Sequence, residues 1–146
     1  MMEAAHGGHM NLVRFLVEEK KANVALADNQ GRTAVMDASM RGHLDVVRVL
    51  VKSLGANVHD TNKYGATALI YAAHEGHLEV VQLLVEECGA RVDHQDGQGD
   101  TALTISARWN RKAVARYLVE DAKADLAIRG RNGLTAMEWA VESETM

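Results

Sequence analysis

Seven histidines in 146 residues are the first places to look for chemistry. His6 and His9 form one H-x-x-H pair, and His74 and His77 form another. On a continuous helix that spacing can hold a metal ion. Here glycines fall between the partners, Gly7 and Gly8 in one pair and Gly76 in the other. A helix break there sends the two rings to opposite sides. His9, His43 and His77 recur after a glycine, which gives them a turn-stabilising role, and His59 and His94 read as solvated turn residues. Cys88 follows Glu86 and Glu87, and acidic neighbours raise a thiol pKa rather than prepare a nucleophile. As the single cysteine it also excludes an intramolecular disulfide and a CxxC metal knuckle. Ser39, Ser53, Ser106 and Ser143 lack a nucleophile-elbow context, and the glycines of "DGQGD" (96–100) lack the lysine of a phosphate loop. The sequence therefore predicts no enzyme activity, no metal and no cofactor.

Composition points the same way. The chain is 47% hydrophobic and 25% charged, with net charge −4 and no proline. That balance fits a globular domain and weighs against a general nucleic-acid binder. Arg108, Arg111, Lys112 and Arg116 form a local basic group, which the acidic total outweighs as a nucleic-acid surface. No apolar run reaches the roughly 18 residues of a membrane span. "MMEAAHGGHMN" has neither the basic nor the apolar region of a secretory signal. A reducing intracellular setting, cytoplasmic or nuclear, is the expectation.

The elements that carry these residues repeat. Gly31, Gly65, Gly99 and Gly133 are evenly spaced, and each is followed two residues on by Thr-Ala. Residues 31–64 and 65–98 share 14 of 34 positions, enough to identify copies of one unit. Each unit reads as two short antiparallel helices and a hairpin-like loop. Thr67 is placed to cap the first helix, and Gly76 to end it through a left-handed conformation. The second helix, 77–87, has an apolar stripe of Leu78, Val80, Val81, Leu84 and Val85, and Gly89 closes it. Phe15 and Tyr117 fall in the same stripe and are predicted core. Asn110 replaces the turn glycine in "ARWNRKAVARYL" and is the next-best residue for positive φ. The expected organisation is partial repeat 1 (1–30), repeats 2 (31–64), 3 (65–98) and 4 (99–132), and partial repeat 5 (133–146).

"GATALIYAAHEGHLEVVQLLVEECGARVD" (65–93) resembles an ankyrin repeat, and the likeness covers essentially the whole chain. It implies an all-α solenoid of stacked helix-turn-helix repeats with projecting β-turn or hairpin loops. Two departures stand out. The proline of the family pattern T-P-L-H is Ala34, Ala68, Ala102 and Ala136, and its histidine is Met36, Ile70, Thr104 and Glu138. The period is one residue longer than the family's, the extra residue falling near Lys20, Leu54, Cys88 and Ala122. A longer second helix or a wider turn is expected there.

The ends are incomplete repeats. "EAAHGGH" (3–9) matches "YAAHEGH" (71–77), and the last unit supplies a loop and a first helix carrying Met137, Trp139 and Val141. Either the chain is a piece of a longer array, or Glu142, Ser143 and Glu144 make the last helix a polar cap. Open ends of this kind invite end-to-end association with another copy.

The resemblance also implies a partner surface on the concave side, for an unidentified protein or peptide. Its loop tips supply Gln30, Arg32, Lys63, Tyr64, Gln98, Asp100 and Arg131. Its first helices supply Asp37, Arg41, Tyr71, His74, Glu75, Ile105, Arg108, Trp109 and Trp139. Two columns vary within a repeating background, Asp37–Tyr71–Ile105–Trp139 and Arg41–Glu75–Trp109, as surface positions free of stacking duty do. Tyr71 and Trp139 have packing between first helices as the alternative. Arg108 and Trp109 make a basic–aromatic corner, the strongest single candidate, whereas Arg111 and Lys112 open a helix and read as solvated.

Overall fold

The computed structural model describes residues 1–145, with side chains through residue 141. Its first helices are α1 (Met2–His6), α3 (Ala34–Met40), α5 (Ala68–Glu75), α7 (Ala102–Arg108) and α9 (Ala136–Thr145). The second helices are α2 (Met10–Glu18), α4 (Leu44–Arg48), α6 (Leu78–Gln82) and α8 (Lys112–Glu120). First helices pack on first helices, second on second, and each first helix on its own second. The result is an all-α stack, with one isolated antiparallel bridge, Ala27 to Thr33, at its first loop. The proposed polar cap Glu142–Glu144 lies outside the described side chains.

The later first helices, α5, α7 and α9, start on side-chain caps, whereas α3 follows Thr33 with no side-chain cap bond. Thr67 Oγ1 accepts from the Ile70 amide at 3.4 Å. In repeat 4 the bond is reciprocal: Thr101 Oγ1 accepts from the Thr104 amide at 3.2 Å, and Thr104 Oγ1 accepts from the Thr101 amide at 2.8 Å. Thr135 and Glu138 repeat the exchange at 3.3 and 2.7 Å. The column in which the family histidine is missing thus closes the caps of α7 and α9. Gly76 ends α5 at φ 87, and Asn110 takes the same left-handed turn at φ 53.

The extra residue of the period goes into a wider last turn. Helices α4 and α6 run on as π-turns over Val49–Ser53 and Leu83–Glu87. The Leu54 amide donates to Val49 at 3.0 Å and the Cys88 amide to Leu83 at 3.1 Å, both five residues back. Lys20 to Phe15 and Ala122 to Tyr117 do the same in the other two repeats. Bonds six residues back follow, Ala22 to Leu16, Ala56 to Leu50, Ala90 to Leu84 and Ala124 to Leu118. The reversal needs a left-handed residue, supplied by Lys21 (φ 55), Gly55 (φ 73), Gly89 (φ 70) and Lys123 (φ 56).

The core lies between the two layers. Val47, Leu50, Val81, Leu84 and Leu118 are sealed, against first-helix alanines such as Ala38, Ala72 and Ala73. Each such leucine contributes about 1.5–3 kcal/mol from apolar burial. Tyr117 joins this core, and its hydroxyl donates to Glu86 Oε1 at 3.0 Å. Phe15 does not, contrary to the stripe reading: it is 47% exposed. Its column, continued by Val49, Leu83 and Tyr117, is buried where a second helix precedes it, and none precedes α2 among the described residues.

Staples at the turns join successive repeats. His43 Nε2 lies 2.8 Å from the His6 carbonyl, and His77 Nε2 lies 3.0 Å from the Met40 carbonyl. Each ring donates into the end of the preceding first helix and lies against Gly8 or Gly42, where a Cβ would collide with it. The turn role read for these histidines is therefore an inter-repeat contact. Arg111, read as solvated, makes the third staple: its Nε donates to the His74 carbonyl at 2.8 Å, and its side chain lies over Gly76. His94 is likewise held rather than solvated, its Nε2 at 2.8 Å from the Gly65 carbonyl.

Candidate partner interface

The loops are built by side chains that imitate backbone. Asp28 Oδ1 accepts from the Gln30 and Arg32 amides at 2.8 and 2.9 Å. Asn62 does the same for Tyr64 and Ala66, and Asp96 for Gln98 and Asp100. The Arg32 amide is the main cause holding the Asp28 carboxyl below the usual range. Neighbouring loops are then stitched tip to tip, Lys63 N–H to the Gln30 carbonyl at 2.9 Å and Gly97 N–H to the Tyr64 carbonyl at 2.7 Å. These bonds fix where the Tyr64 side chain leaves the array.

The fourth loop uses a different device. Gly130 stands in the Asx column, and a Cβ there would collide with Asp100 Oδ1. That oxygen accepts from the Arg131 amide at 2.8 Å, while Asp100 Oδ2 pairs with Arg108 Nη1 at 2.7 Å and Arg131 Nε at 3.7 Å. Asp100 is fully buried. It is an internal anchor that aims two arginines, not the loop-tip contact the alignment of repeats suggested.

Between these loops and the first helices runs a groove of about 380 Å³. Of the residues expected to meet a partner, it brings together Tyr64, Tyr71, His74, Glu75, Gln98, Ile105, Arg108, Trp109 and Arg131. Its floor is Ala66, Ile70 and Ile105, a small apolar cluster separate from the main core, with Tyr71 against it. Its walls are aromatic: Tyr64 is 57% and Trp109 49% exposed. Trp109 meets the His74 ring edge-on at 4.7 Å, and His74 Nδ1 lies 2.8 Å from Glu75 Oε1. Lys63 Nζ sits 4.9 Å above the Tyr64 ring, and the Tyr64 hydroxyl donates to Gln30 Oε1 at 3.4 Å.

Other expected residues lie outside the groove's lining. Arg41 is exposed beside it, next to Met40, which does line it. Arg32 is spent on Asp28 at 2.9 Å and Asp37 at 3.4 Å. Asp37 and Ile105 are buried, so the first variable column is a packing column rather than a free surface. Burial pushes the Asp37 carboxyl above the usual range, against the pull of Arg32. Tyr71 is half-buried, its hydroxyl accepting from Asn62 Nδ2 at 2.7 Å, and burial raises its pKa. Trp139 is half-buried as well, with Arg108 Cζ at 5.6 Å over its ring. The column varies because each repeat fills the same gap differently, with acid, phenol, aliphatic or indole.

Asn62, Asp96 and the floor residue Ile70 were missed from sequence. The signal for the first two was present, since Asp28, Asn62 and Asp96 share one register. Among the described residues, no three of His, Cys, Asp and Glu are grouped to hold a metal ion. Burial is the first cause that raises the Cys88 thiol, with Glu87 adding to it and Lys52 opposing. No described helix is long and apolar enough to cross a membrane.

Family models give the independent comparison. A model of ankyrin repeats in three copies matches residues 69–145. A many-copy ankyrin-repeat model matches 35–85, and a single ankyrin repeat matches 1–29. Comparison with curated proteins finds no match.

Proposed function

The chain belongs to the ankyrin-repeat family, whose repeats are generally protein–protein interaction modules, and from that premise we propose that its concave groove binds a protein or peptide partner. The observation that carries this reading is the pairing of Tyr64 and Trp109. They are the two most exposed aromatics lining the groove, which has an apolar floor. Large aromatic side chains left open to water beside a sealed floor are costly unless a partner covers them. Arg108 and Arg131, fixed by Asp100, supply directed donors at one end. The role is non-catalytic: the polar groups around the groove are committed to caps, Asx turns and ion pairs that hold its shape.

The test is capture of partner from the source cell with the wild-type chain and with a Tyr64→Ala, Trp109→Ala double variant. Both side chains are half-exposed, so the variant keeps its melting temperature within a few degrees. Loss of the captured partner is the expected result, and undiminished capture by a folded double variant sinks the groove as the site.

A further inference from the structure

Two ion-pair triads stand on the concave side, and their charges are inverted. At the first loop one guanidinium serves two carboxylates: Arg32 lies 2.9 Å from Asp28 and 3.4 Å from Asp37. At the fourth loop one carboxylate serves two guanidiniums: Asp100 Oδ2 lies 2.7 Å from Arg108 Nη1 and 3.7 Å from Arg131 Nε. The first triad carries a surplus negative charge and the second a surplus positive one. Arg108 and Arg131 line the groove, whereas Asp28, Arg32 and Asp37 do not.

The positive surplus is not spent inside the molecule. Asp100 is fully buried and both its oxygens are engaged, Oδ1 by the Arg131 amide at 2.8 Å and Oδ2 by the guanidiniums. Arg108 reaches it through Nη1, and none of the other Arg108 nitrogens is sealed from water. The Trp139 ring, 5.6 Å from Arg108 Cζ, fixes where that guanidinium sits. The Arg131 side chain is 43% exposed. The other carboxylates lining the groove have partners of their own. Glu75 Oε1 lies 2.8 Å from His74 Nδ1, and Asp96 Oδ1 accepts from the Gln98 and Asp100 amides.

The arginines also adjoin the apolar floor. Ile105 lies three residues before Arg108 on α7, which puts the two on one face of the helix. A carboxylate and an apolar side chain of the same ligand can therefore be met together.

Resting on the groove reading above, we propose that the partner is an acidic peptide segment. It places an Asp or Glu side chain against Arg108 and Arg131, and a large apolar side chain a few residues away on Ile70 and Ile105. The incoming carboxylate balances the second triad, and the negative surplus at Asp28 and Asp37 turns the acidic end away from the first loop. The first-helix layer continues past Arg108 to Trp139, so the peptide runs on beyond the carboxylate, as it does at a side chain and not at a chain end.

The probes come from a random twelve-residue peptide library displayed on phage and selected on the 146-residue chain. Winners that do not bind the Tyr64→Ala, Trp109→Ala variant are synthesised with acetylated and amidated ends, and binding is read by fluorescence anisotropy. The expected winners carry Asp or Glu within a few residues of a large apolar side chain. Replacing that acid by Asn or Gln weakens binding roughly tenfold, and Arg131→Gln weakens the parent peptide by the same factor. The two changes together cost no more than either alone, as for a direct pair. Arg131 is exposed and its backbone amide is kept, so the variant folds; circular dichroism verifies it. Arg116→Gln removes an equal charge from α8, outside the groove, and leaves binding unchanged. Winners without an acid, additive losses, an equal loss for Arg116→Gln, or rescue of the Asn or Gln peptide by a free C-terminus would each overturn the acidic-segment proposal and leave the groove reading standing. A selection with no winner sensitive to the Tyr64–Trp109 double variant overturns both.

Discussion

Arg111 stands where three earlier repeats carry a histidine, and its guanidinium Nε donates to the His74 carbonyl at 2.8 Å. The bond spans the same 37 residues as His77 to Met40 and His43 to His6. It also lies beside the site, because the His74 ring is the one that Trp109 meets edge-on.

Removal of this staple is expected to loosen the junction of repeats 3 and 4. Arg111→Ala leaves the last turn of α5 with an unpaired carbonyl and uncovers Gly76. A charged hydrogen bond of this kind contributes about 1.5–3 kcal/mol, and partial exposure of Arg111 places the loss toward about 1–2 kcal/mol. Arg111→His restores most of it, because the ring bridges the same distance in the other two turns. Urea unfolding of the three proteins decides the matter: an alanine variant within about 0.5 kcal/mol of wild type removes the staple from the account.

Much of this was legible in the sequence, and for a physical reason. A solenoid repeats its backbone problem, so Thr67, Gly76, Val80 and Leu84 return at one spacing and announce their roles by returning. Trp109, Tyr64 and Arg108 could be placed on the concave side from that register alone. Asp100 and Ile105 could not be read as buried, because burial depends on what the neighbouring repeat supplies. Asp100 is sealed by Arg108 and Arg131, and Gly130 leaves the room for it. Arg111 was missed because a guanidinium imitates a histidine's reach without resembling it. Phe15 was misplaced for the opposite reason: its stripe is correct, but the helix that would cover it is not there among the described residues.

The lysines of the wide turns give a prediction of the opposite sign. Lys21 and Lys123 hold left-handed backbone at φ 55 and 56, in the column where Gly55 and Gly89 sit. A residue with a Cβ is strained there by about 1–2 kcal/mol, part of which glycine returns as unfolded-state entropy. Lys21→Gly and Lys123→Gly are each expected to stabilise the chain by about 0.5–1 kcal/mol. Gly55→Ala and Gly89→Ala are expected to cost a similar amount, since a Cβ at either position meets open space and the penalty is conformational alone. Thermal melts of the four variants, with gains in the first pair and losses in the second, check this column. A loss on Lys→Gly would place the lysines' value in their side chains instead.

Tyr117 ties the second-helix layer to alkaline pH. Burial, with Glu86 as the next cause, pushes its hydroxyl from 10.0 up to about 12. The unfolded chain therefore gives up this proton first as pH rises, and the folded chain retains it. Stability is complete below pH 10 and falls between about pH 10 and 12, by about 2–3 kcal/mol for a shift of two units. The comparison that isolates this is wild type against Tyr117→Phe, in urea, at pH 8 and again near pH 11.5. Lysines and the other tyrosines titrate in both proteins and cancel. At pH 8 the phenylalanine variant is less stable by about 1 kcal/mol, the hydrogen bond to Glu86. Near pH 11.5 the order reverses, because the variant has no phenol to ionise. A difference between the two proteins that stays constant across this range would mean that Tyr117 ionises freely in the folded state.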